Sequence, residues 1–163
     1  MLKVASYDIV FQEVPGEVTL ALNISGCPCH CKGCHSQHLW VDTGEPLGIE
    51  LLDGLLARYG GLATCVAFMG GDQAPEEVAQ LANHLKLQVT DFHVKTAWYS
   101  GRPQMPNGWD EHPEEAPFDY IKIGPYIESL GGLKSRTTNQ RLYKRSGCEW
   151  LDVTSSYWRQ ALG

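Results

Sequence analysis

The sequence predicts an α/β protein built on an incomplete, open (β/α) barrel. Short apolar segments of strand length alternate with segments of helical periodicity, which is the pattern of parallel βαβ units. About four such units fit into 163 residues, so the barrel should stop well short of the eight units of a closed one. The same length, with 43% hydrophobic residues, fits one domain spanning residues 1–163 around one core.

Four apolar segments predict the parallel strands. The first is VTLALNI at 18–24, and the second is TCVAFMGGD at 64–72, which ends in a glycine pair before an acidic residue. The third is FHVKTAWYSG at 92–101, and the fourth is FDYIKIG at 118–124. Short apolar runs bounded by turn residues are typical of buried strands.

Two segments predict helices between these strands. IELLDGLLARYG at 49–60 carries apolar residues at helical spacing, and a glycine pair follows as a natural stop. The amphipathic PEEVAQLANHLK begins at Pro75, since proline is favoured in the first turn of a helix. The segment 102–117 is rich in proline and acidic residues, which predicts a loop or one short helix.

Composition argues against several classes of function. The net charge is −6 and the chain has no long basic run, so a nucleic-acid partner is not expected. No apolar stretch approaches the roughly 20 residues that span a bilayer, and the N-terminal segment does not resemble a signal peptide. We therefore expect a soluble cytoplasmic protein without a membrane partner.

The segment CPCHCKGC places four of the six cysteines within one short loop. In a reducing compartment such a cluster binds metal more often than it forms disulfides. Cys27, Cys31 and Cys34 have the spacing CxxxCxxC, and a cubane iron-sulfur cluster takes one cysteine per iron. Three ligands leave one iron open to a substrate. Glycines at positions 26 and 33 let the backbone approach a bulky inorganic core.

The turns after the predicted strands should converge. The cysteine loop follows the first strand, GGD the second, Ser100 with its neighbouring glycine the third, and Gly124-Pro125 the fourth. Because the C-terminal ends of parallel strands share one edge of a sheet, ligands gather there. We expect these four turns to line one site.

These motifs resemble those of a known family. SGCPCHCKGC directly after the first strand, with GGD directly after the second, resembles the radical S-adenosylmethionine (SAM) superfamily. HLW after the cysteines and the late IKIGPYIESLGGLKSRTTNQRLY resemble, within it, the activating enzymes of anaerobic (class III) ribonucleotide reductases. The resemblance implies an open (β/α) barrel of the radical SAM type.

The resemblance also implies a reaction. Cys27, Cys31 and Cys34 would hold a [4Fe-4S] cluster whose open iron is chelated by SAM, with no catalytic side chain beyond the cluster. Reductive cleavage of SAM would give a radical that removes a hydrogen from a glycine of the reductase. An electron donor such as flavodoxin would supply the electron, and the chain would form a homodimer or a heterotetramer with the dimeric reductase.

Further residues are implied for contact with SAM. GGD matches the family's GGE-like motif, which receives the ammonium of the methionine moiety, and a carboxylate facing a cation is the expected pairing. The residues implied are Gly33, Cys34 and His35 beside the adenosine, Gly70, Gly71 and Asp72 at the ammonium, and Ser100 at the ribose or the methionine carboxylate.

Several alternatives stay open. Cys29 is interpreted as a tolerated small residue that points away from the cluster, although with nearby histidines it could form a zinc site in a non-enzymatic zinc or iron-sulfur adaptor. A second alternative is a radical SAM enzyme acting on a small molecule, such as a deazapurine synthase. Asp72 alone could cap the following helix. The segment 126–143 either docks the reductase or closes the sheet edge as a hairpin.

Overall fold

A computed structural model describes residues 1–27, 41–87 and 94–162 of the chain. Within these ranges, eight strands and three α-helices are found. The strands are β1 (Lys3–Val10), β2 (Thr19–Ile24), β3 (Glu45–Pro46), β4 (Cys65–Met69), β5 (Lys95–Tyr99), β6 (Tyr120–Ile123), β7 (Arg141–Ser146) and β8 (Glu149–Asp152). The helices are α1 (Ile49–Tyr59), α2 (Pro75–Leu87) and α3 (Ser155–Leu162), with a short 3-10 helix at Pro113–Glu115.

The described strands form one mixed sheet in the order β3-β1-β2-β4-β5-β6-β7-β8. Its centre is parallel: Leu22 of β2 pairs with Phe68 of β4, which pairs with Trp98 of β5, which pairs with Ile121 of β6. The flanks are antiparallel, with β1 beside β2 on one side and the β7–β8 hairpin beside β6 on the other. The C-terminal ends of β2, β4, β5 and β6 therefore point to the same edge.

The strand and helix predictions are confirmed. The four central strands lie inside the four predicted segments and pair in parallel in the predicted order. Helix α1 ends at Tyr59, directly before the predicted glycine stop, and α2 begins at Pro75 as predicted. The segment 102–117 contains only the 3-10 helix. The radical SAM type of barrel stays a prediction.

Sequence reasoning missed the outer elements. The sequence does not predict strands β1, β3 and β8 or helix α3, and it anticipates β7 only in part, through the alternative of a closing hairpin at 126–143. Strand β1 and the β7–β8 hairpin carry half-exposed side chains with many polar residues, so they lack the continuous apolar run that marks the central strands. Their place in the sheet comes from pairing with β2 and β6.

Helices α1 and α2 cover one face of the sheet. Leu52 of α1 and Val78 of α2 are fully buried in the same core as Phe68 and Trp98 of the strands. Trp98 also packs against two aromatic side chains from the loop before β6. Its ring lies edge to face with Trp109 and is tilted against Phe118. Burying side chains of this size stabilises the fold by about 1.5–3 kcal/mol each, so this face holds both helices to the sheet.

The second face of the sheet carries smaller side chains. Cys65 and Ala67 of β4 and Ala97 of β5 point to it and are fully buried. Tyr157 of α3 packs there, together with Val14 of the β1–β2 loop. The last helix and the first long loop therefore close this face. Among the residues described, no helix combines the length and the apolarity that a membrane crossing needs.

Candidate functional site

The turns after the central strands meet at one edge, as the alternation of elements predicts. The amide of Gly70 after β4 donates to the carbonyl of Tyr99 at 3.1 Å, and the amide of Ser100 after β5 donates to the carbonyl of Lys122 at 2.9 Å. Hydrogen bonds between successive strand ends thus continue past the sheet. They place the turns side by side.

The structure brings Asp72 and Ser100 together. Ser100 Oγ donates to Asp72 Oδ1 at 2.5 Å, and the amide of Gly101 donates to Asp72 Oδ2 at 2.9 Å. Asp72 is 7% exposed and Ser100 is fully buried. Hydrogen bonds to an ionised acceptor are shorter and stronger than neutral ones, so this carboxylate ties the turn after β4 to the turn after β5.

The glycine pair of GGD is required by the backbone and by packing. Gly70 and Gly71 have φ of +106° and +91°, a region that other residues rarely adopt. A Cβ on Gly71 would also lie 2.6 Å from Cγ2 of Val78, inside the packing of α2. The carbonyl of Gly70 accepts a hydrogen bond from Nε1 of Trp98 at 2.8 Å. The shape of this turn is therefore fixed by the core beneath it.

Lys122 is a site residue that the sequence reasoning missed. It is 9% exposed, and its Nζ donates to the carbonyls of Ser100 at 3.0 Å and Gly124 at 2.8 Å. A buried ammonium group requires such partners, because desolvating a charge is costly. The sequence gives no clear signal for its burial, because the alternation Ile121-Lys122-Ile123 is also that of a strand with one exposed face. Lys122 joins the turn after β5 to the turn after β6.

The cysteine loop starts at the same edge. Cys27 is half-buried and its thiol is free, and it follows Gly26, which has φ of +76°. Cys31 and Cys34, the other two candidate ligands, lie outside the described residues, as do Gly33, His35 and Cys29. No contact of these residues is therefore assigned.

The two remaining cysteines do not belong to this edge. Cys65 lies on β4 and is fully buried, and burial raises the pKa of its thiol far above the usual value. It behaves as a small buried hydrophobe. Cys148 is exposed in the turn between β7 and β8. Both therefore lie towards the N-terminal ends of the parallel strands, opposite the edge at which the cysteine loop starts.

The segment 126–143 closes over the end of β6. Nδ2 of Asn139 donates to the carbonyl of Pro125 at 3.1 Å, and Nε2 of Gln140 reaches the carbonyl of Gly124 at 3.4 Å. The Oδ1 atom of Asn139 is buried and accepts no hydrogen bond from the described residues. Beyond it, β7 pairs with β6, so the segment covers the sheet edge. Whether it also docks the reductase stays a prediction.

The second face beneath the site is closed by a pair of tyrosines. The hydroxyls of Tyr99 and Tyr157 lie 2.7 Å apart, and both donate to the carbonyl of Glu13. Burial raises the pKa of both phenols well above the usual value, so they remain neutral. Helix α3 is thereby anchored directly below the strand end that carries Ser100.

The described part of the loop fits an iron-sulfur cluster. Cys27 presents a free thiol at the C-terminal edge, and thiolate is the ligand that such clusters take. Gly26, directly before Cys27, has no side chain, so the backbone there can lie close to a bulky cluster bound to the thiol. This donor chemistry, in the spacing CxxxCxxC, is what a cubane cluster needs from the protein.

The comparisons with known proteins agree with this chemistry. A family model described as "4Fe-4S single cluster domain" matches residues 14–102, just over half of the chain. The match contains the cysteine loop, the GGD turn and Ser100, together with strands β2, β4 and β5. No curated protein and no solved structure matches the chain significantly.

Proposed function

Since the chain belongs to the 4Fe-4S single cluster domain family, we propose that it is an activating enzyme for an anaerobic ribonucleotide reductase. It would cleave SAM reductively at its cluster and generate a glycyl radical on the reductase. The observation that carries the proposal is the hydrogen-bonded edge that joins the GGD turn to Ser100, with Cys27 at the start of the neighbouring loop. The cysteine, GGD and TTNQR motifs add the resemblance to such enzymes.

The cluster and the protein would have different roles in this reaction. When bound and reduced, the cluster would supply the electron for the reductive cleavage of SAM, which is the source of the radical proposed for the partner's glycine. Cys27, Cys31 and Cys34 would hold the cluster, and a donor such as flavodoxin would reduce it. The protein's part is to bind, to orient and to exclude water.

Asp72 has the properties needed to orient the ammonium of SAM. Its carboxylate already accepts hydrogen bonds from Ser100 Oγ and Gly101 N, which fix its position. An ionised carboxylate carries the charge opposite to that of an ammonium group, and hydrogen bonds between such charged groups are stronger than neutral ones. Burial at 7% exposure would strengthen that contact, because water screens it less.

The closed second face restricts where the substrates can enter. Tyr157 and Tyr99 fill the space beneath Ser100, so the open approach to the site is from the C-terminal edge. A glycine-bearing loop of the reductase would arrive from that edge. This arrangement keeps bulk water away from the underside of the site, which a reactive adenosyl fragment requires.

The test is an anaerobic reconstitution. The purified protein should contain iron and sulfide, and with dithionite, SAM and the reductase it should form 5′-deoxyadenosine and a glycyl radical seen by electron paramagnetic resonance. Replacing Cys27, Cys31 or Cys34 singly by Ala should abolish cleavage, while Cys29→Ala should remain active. Stoichiometric zinc without iron would instead identify the adaptor. Cleavage without any radical on the reductase would favour an enzyme acting on a small molecule.

A further inference from the structure

We propose that Gln73 is a positioning residue that holds the cysteine loop against the GGD turn. It would set the distance between the cluster and the group that binds the methionine part of SAM. This inference rests on the proposed function for its consequence. The contact itself is a feature of the described residues.

Both ends of the cysteine loop are tied by one side chain. Ser25 Oγ donates to the carbonyl of Thr43 at 2.5 Å and accepts from the amide of Thr43 at 3.1 Å. Ser25 is 1% exposed, and its own amide donates to the carbonyl of Lys3 at 3.0 Å. We call Ser25, Gly26, Cys27 and Thr43 the neck of the loop. The neck is closed before the chain reaches the second cysteine ligand.

Gln73 joins this neck to the rest of the site. Its Nε2 donates to the carbonyl of Ser25 at 2.7 Å. The backbone pairing of β2 with β4 stops at Asn23 and Met69, so beyond these residues the strand ends are no longer held by a ladder. Among the described contacts, the hydrogen bond of Gln73 joins the segment after β4 to the segment after β2. It reaches that segment two residues before Cys27.

The side chain of Gln73 also lies over the backbone of the neck. A Cβ on Gly26 would be 3.1 Å from Nε2 of Gln73, closer than most real Cβ contacts. Gly26 therefore provides room for the amide of Gln73 to reach the carbonyl of Ser25. A larger residue there would displace the amide, quite apart from the strain of φ at +76°.

The position of Gln73 in the sequence gives the contact its consequence. It directly follows Asp72, whose carboxylate is bound to Ser100 and Gly101. A continuous chain of bonds thus runs from the neck through Gln73 and Asp72 to the turn after β5. Movement of Cys27 relative to Asp72 would have to break it.

The variant Gln73→Met distinguishes a positioning role from a purely structural one. Gln73 is exposed as a residue, so removing its amide costs the core little packing. Gln73→Met keeps the length of the side chain and removes the donor. We expect cluster content and melting temperature close to wild type, with faster amide exchange at residues 25–27 and about fivefold weaker binding of SAM.

A matched control removes a similar bond at the other end of the sheet. Thr96 Oγ1 donates to the carbonyl of Pro117 at 2.7 Å near the start of β5, and Thr96 is fully buried. Thr96→Val should lower the melting temperature without changing exchange at residues 25–27 or SAM affinity. Gln73→Lys, whose ammonium can again donate to the carbonyl of Ser25, should restore the exchange protection that Gln73→Met loses.

The measurements use the cluster-loaded protein and separate the two proposals. If Gln73→Met leaves amide exchange at the neck at the wild-type rate, or if Gln73→Lys restores nothing, the positioning role is wrong. If wild type itself binds no SAM, the proposed function fails. Exchange at residues 25–27 in wild type, Gln73→Met and Gln73→Lys then still decides the role of Gln73.

Discussion

Replacing Asp72 by Ala removes the acceptor that links two strand ends. Ser100 Oγ loses its partner at 2.5 Å, and the amide of Gly101 loses its partner at 2.9 Å. Both the carboxylate and the serine are buried, at 7% and 0% exposure, so water cannot simply replace the missing oxygen atoms. We expect this variant to lose stability as well as affinity for SAM.

The size of the stability loss follows from these two bonds. A hydrogen bond to a charged group contributes about 1.5–3 kcal/mol, and two bonds to one carboxylate are coupled rather than additive. We therefore expect a loss of about 3 kcal/mol. In a domain of this length that lowers the melting temperature by about 6–12 °C. Asp72→Asn keeps one carbonyl oxygen for the serine hydroxyl, so its loss should be about half as large.

The assay compares thermal unfolding with SAM binding. Asp119→Ala is the matched control, because Asp119 Oδ2 accepts from the amide of Thr96 at 2.9 Å and from Nζ of Lys86 at 3.0 Å at the opposite end of β5. Both variants should melt earlier than wild type, but only Asp72→Ala should weaken SAM binding. Melting of Asp72→Ala at the wild-type temperature would refute the structural part of this reasoning. Equal loss of SAM affinity in Asp119→Ala would refute the site assignment.

Three other predictions follow from the remaining contacts. Burial raises the pKa of Tyr120 from 10.0 to about 12, so between these pH values the folded protein retains a proton that the unfolded phenol releases. The stability that this contributes is complete below about pH 10 and declines as the pH approaches about 12. Urea unfolding at increasing pH checks this decline, and Tyr120→Phe should reduce it. A stability that rises with pH in this range would contradict the sign. The buried thiol of Cys65 should resist iodoacetamide in the native protein while Cys148 reacts, and peptide mapping that finds both labelled equally would show that β4 opens readily. Replacing Asn139 and Arg141 by Ala should leave SAM cleavage without reductase intact while radical formation on the reductase falls; a parallel loss of cleavage and melting temperature would mean that the segment 126–143 is only structural.

The central strands and the cysteine motif could be predicted from the sequence because their signals are local. A continuous apolar run such as CVAFM marks a buried parallel strand without reference to its neighbours. The spacing of Cys27, Cys31 and Cys34 is likewise contained within eight positions. The matched family model supports the iron-sulfur interpretation of this loop. The contacts of two of these cysteines lie outside the described residues, so their ligand roles stay predictions.

The connections within the site were decided by tertiary structure. Asp72 and Ser100 are 28 positions apart, and Gln73 and Ser25 are 48 apart, so no periodic pattern joins them. They meet because parallel pairing of β2, β4 and β5 brings the ends of these strands to one edge in a fixed register. Lys122 can be buried for the same reason. The two carbonyls that accept its hydrogen bonds, of Ser100 and Gly124, come within reach of one ammonium group only because two turns converge there. Local sequence determines which residues form strands, whereas the partners of a buried polar group depend on which strand ends lie side by side.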